Sequence, residues 1–379
     1  MADFTKLNGV AAADIAKINA IDKSSISKIN NMTVPSTGTT ATRWVIVQDD
    51  RRISHATNSD VLAGNAWTTY DAFSGGSSPN PSSGNDHIHI AYGKDGSGNA
   101  RWVASYATDN CELAYINDVT SGPWTGVNQD AGGNNLPNRV FALQWGNDFW
   151  IAVGKMGTKS ILRSDDGAAW TQIDVSGVSG INGTAIYALA SNGTGTWWFA
   201  QENRIYQSTN DGQTWSLLHT LLNSSSADPG NIRSLQFTNN TLMAGVDANP
   251  ALVFTAASSD LTDWSTETSL TNGGTAFDQQ TRSASAAGRV VVVGSQFKWT
   301  FDIDGKTTTV EENGVDFSGD SVSHGTMASV STDGSTWVAT AFTGDTFFST
   351  DAGDTFTAGP TNVGSKDALD NAPDVYLPL

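Results

Sequence analysis

The sequence predicts an all-β chain, a seven-bladed β-propeller of four-stranded antiparallel blades. Two patterns and one compositional bias predict it. First, a phrase of Ser, an acidic or amide residue, Gly and a closing aromatic keeps returning. It reads SDDGAAW at 164–170, STNDGQTW at 208–215, SSDLTDW at 258–264 and STDAGDTF at 349–356. Its aromatics stand 45, 49 and 92 residues apart, the last interval being two steps of 46 with one phrase lost. Counting backwards adds Trp124 and Trp67, so the markers are Trp67, Trp124, Trp170, Trp215, Trp264, a degenerate copy near Thr308, and Phe356. Second, each interval holds four short β-branched and aromatic runs separated by turn residues, and repeated four-stranded units of about 45 residues are the mark of propeller blades. Third, 38 Gly against only 5 Glu suits strands and tight turns and argues against helices.

Taken in order, residues 1–32 belong to a different system. KLN at 6–8, KIN at 17–19 and KIN at 28–30 recur every 11 residues. Eleven residues make three helical turns, so a continuous helix is one reading. Asn8-Gly9 and Asn30-Asn31 favour small helical turns separated by bends. Ile15, Ile18, Ile26 and Ile29 give this arm an apolar face too small to fold alone, so it must dock on something. Residues 33–42 read as a linker, and 43–379 as the propeller. In blade 1, RWVIVQD (43–49) is the second strand and no innermost strand is evident; the C-terminal DVYLPL (374–379) is the candidate to close the ring. Residues 71–86 read as an inserted surface loop. STDGSTW at 331–337 mimics the phrase but falls between the first and second strands of the last blade, where a plain turn belongs.

Composition narrows the partners. A net charge of −18 disfavours nucleic acid and anionic membrane. No 18-residue apolar run occurs, so no membrane insertion is expected. Residues 1–30 lack the apolar stretch of a secretory leader. Cys111 is the only cysteine, so no intrachain disulfide forms; it reads as a small buried residue. His87 and His89 alternate along a strand, but no third ligand accompanies them, so no metal and no cofactor are expected.

The phrase S-x-D/N-x-G-x-T-W/F resembles the Asp-box, or BNR repeat, of sialidase-like propellers. Ser208, Asn210, Gly212 and Trp215 match it, as do Ser349, Asp351, Gly353 and Phe356. Ser164, Asp166, Gly167 and Trp170 match with one residue fewer, and Ser258, Asp260 and Trp264 match without the Gly. The resemblance implies a structural turn between third and fourth strands, with the aromatic packed between blades and no catalytic role. The D-I-A/S-K-I-N units of the arm resemble repeats in structural proteins of marine tailed phages. Together the two resemblances imply a virion protein whose arm docks on other virion proteins while the propeller faces the host surface. Assembly in the host cytoplasm and a homo-oligomer within the particle fit that picture.

Propeller topology places the loops after each second strand on the face opposite the phrase, around the channel mouth. Asp50, Arg51, Arg52, Asp109, Lys155, Lys159, Glu202, Arg204, Asp247, Gln296 and Lys298 gather there, with Tyr106, Phe297 and Phe342 nearby. Convergent polar groups beside aromatic platforms suit a host-surface glycan, although exposed loops are polar in any case. Hydrolysis is the second reading. It needs two facing carboxylates, or a Tyr nucleophile with an arginine cluster. Asp50, Asp109, Glu202 and Asp247 could supply a pair. However, the F/Y-R-I-P motif of sialidases is replaced by TATRWVIV, and seven repeats exceed the sialidase blade count. A cellular assembly factor of the Asp-box propeller type is a third reading, against which the K-I-N arm counts.

Overall fold

The computed structural model describes residues 41–48, 52–72, 89–106, 112–120, 122–136, 139–155, 161–247, 251–270, 282–294, 297–303, 307–312, 327–341, 344–360, 363 and 368–374, together with six two-residue strands before residue 34. The chain divides into two compact units, Met1–Thr39 and Thr40–Leu379.

The first unit corrects the expectation of small helical turns. Lys6–Leu7 pairs antiparallel with Val10–Ala11, Lys17–Ile18 with Ile21–Asp22, and Lys28–Ile29 with Met32–Thr33. Each pair brackets two residues of sequence, Asn8-Gly9, Asn19-Ala20 and Asn30-Asn31. Asn-Gly is a helix breaker, but it is also the strongest two-residue hairpin signal. The repeat is therefore a hairpin repeat, and a boundary at residue 32 would cut the third hairpin in half. Ile18 and Ile29 lie in its strands; Ile15 and Ile26 lie outside the described residues.

The second unit is a ring of seven four-stranded sheets. From inner to outer strand, blade 1 is Ala368–Pro373, Arg43–Gln48, Arg52–Thr57 and Thr68–Asp71. Blade 2 is His89–Lys94, Ala100–Tyr106, Glu112–Ile116 and Thr125–Val127; blade 3 is Val140–Gly146, Phe149–Gly154, Ile161–Ser164 and Thr171–Ile173. Blade 4 is Ile186–Ser191, Trp197–Gln201, Arg204–Ser208 and Ser216–Thr220; blade 5 is Asn231–Thr238, Thr241–Asp247, Ala251–Ala257 and Ser265–Leu270. Blade 6 is Arg282–Ala286, Arg289–Gly294, Phe297–Asp302 and Thr307–Glu312; blade 7 is Met327–Thr332, Trp337–Ala341, Thr346–Ser349 and Thr357–Ala358. The marker aromatic stands immediately before the outer strand in every blade but the sixth, where Thr308 lies inside that strand.

Two details differ from the sequence reading. The ring closes through Ala368–Pro373, not 374–379: Asn371 pairs with Ile46 and Ala372 with Val45. Asp, Asn and Pro are poor strand formers. They are tolerated here because an innermost strand bonds on one side only, and Pro is confined to such edges. In addition, a short α-helix, Asn58–Ala63, replaces the turn before the outer strand of blade 1. Thr57 caps it by accepting the Asp60 N–H at 3.2 Å, and Gly64 ends it with φ 67°.

The core is not central. It consists of seven layers, one between each pair of neighbouring blades. Trp170, for example, belongs to blade 3 but packs with Val103 and Leu113 of blade 2. Trp215 of blade 4 packs with Ile151 and Val153 of blade 3. Inner strands neighbour one another all round the ring, so every blade relies on two others.

Candidate functional site

The recurring phrase forms a turn that fastens one blade to the one before it. Ser164, Ser208 and Ser349 each donate to the following Asp or Asn side chain, at 3.0, 2.9 and 2.7 Å. The same hydroxyls accept the Gly167, Gly212 and Gly353 N–H at 2.8, 2.9 and 3.0 Å. Trp170 and Trp215 donate their indole N–H to the Gly carbonyls. The eight-residue phrases have two successive left-handed residues, Asp211-Gly212 and Ala352-Gly353, whereas SDDGAAW has only Gly167. The residue by which it is shorter is therefore the extra left-handed one. In SSDLTDW, Leu261 stands in the Gly position without a positive φ. Trp264 still donates to the Leu261 carbonyl, at 2.7 Å, but is only half-buried.

A cation from the preceding blade reaches each intact turn. Arg101 donates to the Asp166 carbonyl at 2.5 Å, Arg163 to that of Asp211 at 2.8 Å, and Lys298 to that of Asp354 at 2.7 Å. This corrects the placing of Lys298 among the exposed loop residues: it is 2% exposed and serves the junction of blades 6 and 7. The decoy Asp333 also has a structural task. Its carboxylate accepts Thr336 N–H at 2.6 Å and Ala41 N–H at 2.8 Å, tying the entry of the chain to blade 7.

The turn carboxylates couple this fastening to pH. Burial pushes the Asp166 carboxyl up, but bonds from the Ala169 and Ala168 N–H and the Ser164 hydroxyl, with Arg101 near, outweigh it and hold the group down. For Asp351, burial is likewise outweighed by the Thr355 and Ser349 hydroxyls and the Thr355 N–H. A carboxylate held below its unfolded value of about 3.9 stabilises the fold above that pH and loses this as pH falls through its folded pKa. Replacing Asp166 and Asp351 with Asn, as blade 4 already has at Asn210, is expected to flatten the fall in melting temperature below about pH 4. An unchanged slope between the double variant and the parent would contradict this.

On the opposite face, the structure assembles only part of the predicted set. Glu202 sits at the tip of a two-residue turn with φ 55°. It takes Arg204 at 2.6 Å and the Asn182 amide at 2.7 Å. Asp247 is 3.2 Å from Arg233, a residue absent from the prediction. Arg233 lies 4.0 Å above the Tyr187 ring, which tilts against Phe141 with centroids 4.7 Å apart. Phe141, Tyr187 and Arg233 are the extra residues of β-bulges near the start of three successive inner strands, and bulges re-aim side chains in this way. They make a ladder at the channel mouth across blades 3 to 5. Lys155 is exposed, and Arg52 opens the third strand of blade 1. Asp50, Arg51, Asp109, Lys159, Gln296, Phe342, His87 and Cys111 lie outside the described residues, as do the side chains of Tyr106 and Phe297.

The concave feature is the axial channel, a cavity of about 290 Å³ lined by all seven inner strands. Its wall has two halves. Blades 5, 6, 7 and 1 present small polar groups tied into a belt. Gln236 donates to Ser283 Oγ at 3.0 Å and accepts from Ser285 at 2.9 Å. Ser329 donates to Asp370 at 2.6 Å, and Ser331 donates to Asn371. Asp370 also accepts the Ile90 N–H at 3.0 Å and stands 3.6 Å from His89. Blades 2, 3 and 4 oppose this belt with Tyr92, Trp145, Tyr187 and two leucines. The loop-based reading missed these residues. The available signal was the alternation of Ser and Gln in the inner strands, as in IRSLQFT and TRSASAA. Among the described residues no group of three or more His, Cys, Asp or Glu is placed to hold a metal ion, and no helix is long and apolar enough to cross a membrane.

No protein-family profile matches the chain, and no curated protein does. Solved structures share its fold at TM-score 0.50. Ycf48 bound to D1 peptide is 14% identical over 74% of this chain and 84% of that one. The WD40 β-propeller domain of Doa1 is 12% identical over 83% and 88%. PorZ, an essential bacterial surface component of the type-IX secretion system of Porphyromonas gingivalis, is 13% identical over 86% of this chain, which spans only 39% of PorZ. Identities this low speak for the propeller fold alone, a frame consistent with binding and display.

Proposed function

We propose that the chain is a non-enzymatic phage virion protein, a tail or capsid fibre or adhesin, that docks through residues 1–39 and holds the propeller out to the host surface. The observation that carries this reading is the arm. Three hairpins with two-residue strands repeat every 11 residues in a unit separate from the propeller. Hairpins this short are marginal in water without further packing, so the repeat suits a strip that other virion proteins order on assembly. Residues 1–39 carry four Lys and three Asp, so the net charge of −18 resides on the propeller, which keeps the displayed part soluble. The Asp-box resemblance supports a rigid scaffold and not an active site, because the phrase is consumed in blade fastening. A propeller can serve as a partner-binding frame, as Ycf48 does for a D1 peptide. Glycan hydrolysis is the weaker reading, since Glu202 and Asp247, the described candidate carboxylates, are each tied to an arginine.

The test is incorporation. Full-length chain and a chain lacking residues 1–39 are supplied during particle assembly, and particles are separated by sedimentation. The full chain is expected in the particle fraction. The truncated chain is expected to stay soluble with an unchanged melting temperature. Equal incorporation of both overturns the docking reading.

A further inference from the structure

We propose that the axial channel binds a neutral pyranose through an acceptor-rich belt on one side and an aromatic wall on the other. Most of the belt's described donors are already engaged. Both bonds that Gln236 Nε2 makes go to Ser283. The hydroxyl protons of Ser285 and Ser331 point into Gln236 and Asn371 respectively. Ser234 and Ser283 are bonded to each other at 2.5 Å, which engages one of their two hydroxyl protons. A hydroxyl that has donated still offers lone pairs, as do amide and carboxylate oxygens. The belt therefore presents acceptors whose geometry is already fixed, and a ligand matching it must be rich in donors.

Two classes of donor-rich ligand remain, amines and polyols. The opposite wall decides between them. Lys94 Nζ already stands 5.9 Å from the Trp145 ring centroid. A second cation at that ring meets like-charge repulsion, so the aromatic side suits an uncharged C–H face. An anionic sugar is disfavoured as well: among the described residues no Arg or Lys lines the cavity, and Asp370 does. A neutral pyranose satisfies both halves, with hydroxyls toward blades 5, 6, 7 and 1 and its apolar face toward Tyr92, the half-buried aromatic of the opposite wall. The volume of about 290 Å³ sits at the small end of ligand cavities, roughly 300–1,000 Å³, so the site takes a chain terminus and not a chain interior. This inference rests on the display reading for the origin of the sugar, a host-surface glycan.

The test uses the full chain and ligand-observed NMR. Methyl α-D-galactopyranoside, methyl α-D-glucopyranoside and N-acetylneuraminic acid are titrated to about 20 mM, which reaches millimolar sites. At least one neutral glycoside is expected to saturate, and the acidic sugar to show nothing. Ser285→Ala and Tyr92→Ala are each expected to weaken the neutral glycoside about fivefold or more, the effect of losing one contact of roughly 1 kcal/mol. If Tyr92→Ala does not fold, Ser285→Ala decides alone. The proposal is overturned if no neutral glycoside binds, if binding ignores the variants, or if the acidic sugar binds equally well. These outcomes leave the incorporation test untouched, so the two readings fail separately.

Discussion

A chain stopped after Asp367 is expected to lose its cooperative melt and to accumulate as aggregate. Ala368–Pro373 is the ladder partner on the inner side of Arg43–Gln48. Beneath it lie Val45, Ile46 and Val47, all fully buried. Exposing such side chains costs about 1.5–3 kcal/mol each, against a total stability of about 5–15 kcal/mol. Further losses add to this. Asp370 no longer bridges blades 7 and 2 through Ser329 and the Ile90 N–H. Asp374 no longer accepts the Thr42 and Arg43 N–H at 2.7 and 3.0 Å, which anchor the start of the propeller. A ring has no redundancy at its seam, so the effect should exceed that of trimming any outer strand. A melt with the parent midpoint would show that the seam lies elsewhere.

Gly353→Ala is the point substitution with the largest expected effect among the phrase residues. Gly353 has φ 81°, and an added Cβ would lie 2.4 Å from Val291 Cγ2 of blade 6. Val291 is fully buried and β-branched, so it cannot swing aside. Left-handed strain of about 1–2 kcal/mol and overpacking of about 1–3 kcal/mol act together. The substitution is thus expected to lower the melting midpoint by several degrees. Gly177→Ala is the control, since a Cβ there meets nothing within 4 Å. Equal behaviour of the two variants would contradict the view that the phrase fastens one blade to the next.

The blade number was legible because each marker aromatic fills an interblade layer just before an outer strand, a position that tolerates little drift. Its partner cations were not. Arg101, Arg163 and Lys298 lie far from the turns they serve in sequence, and nothing local distinguishes them from surface charges. The closing strand was illegible for a related reason. ALDNAP faces a polar channel and makes one ladder, so selection for β-branched residues is relaxed, while DVYLPL carries the stronger strand composition. The hairpins of the arm are too short for any periodicity to register, and Asn-Gly serves two masters, bend and hairpin. Attention to the loops for the site followed from topology, which places loops at the mouth. On the described part of that face Glu202 and Asp247 are each paired with an arginine, and the polar belt lies on the inner strands.

The central claim is that residues 1–39 are a docking strip in their own right. Fusing them to an unrelated monomeric fluorescent protein and sedimenting assembled particles tests it most directly. The account predicts fluorescence in the particle fraction, removed when Ile18 and Ile29 are both replaced by Asp. Fluorescence remaining wholly in the supernatant, with the full chain incorporated in the same assembly, would contradict it.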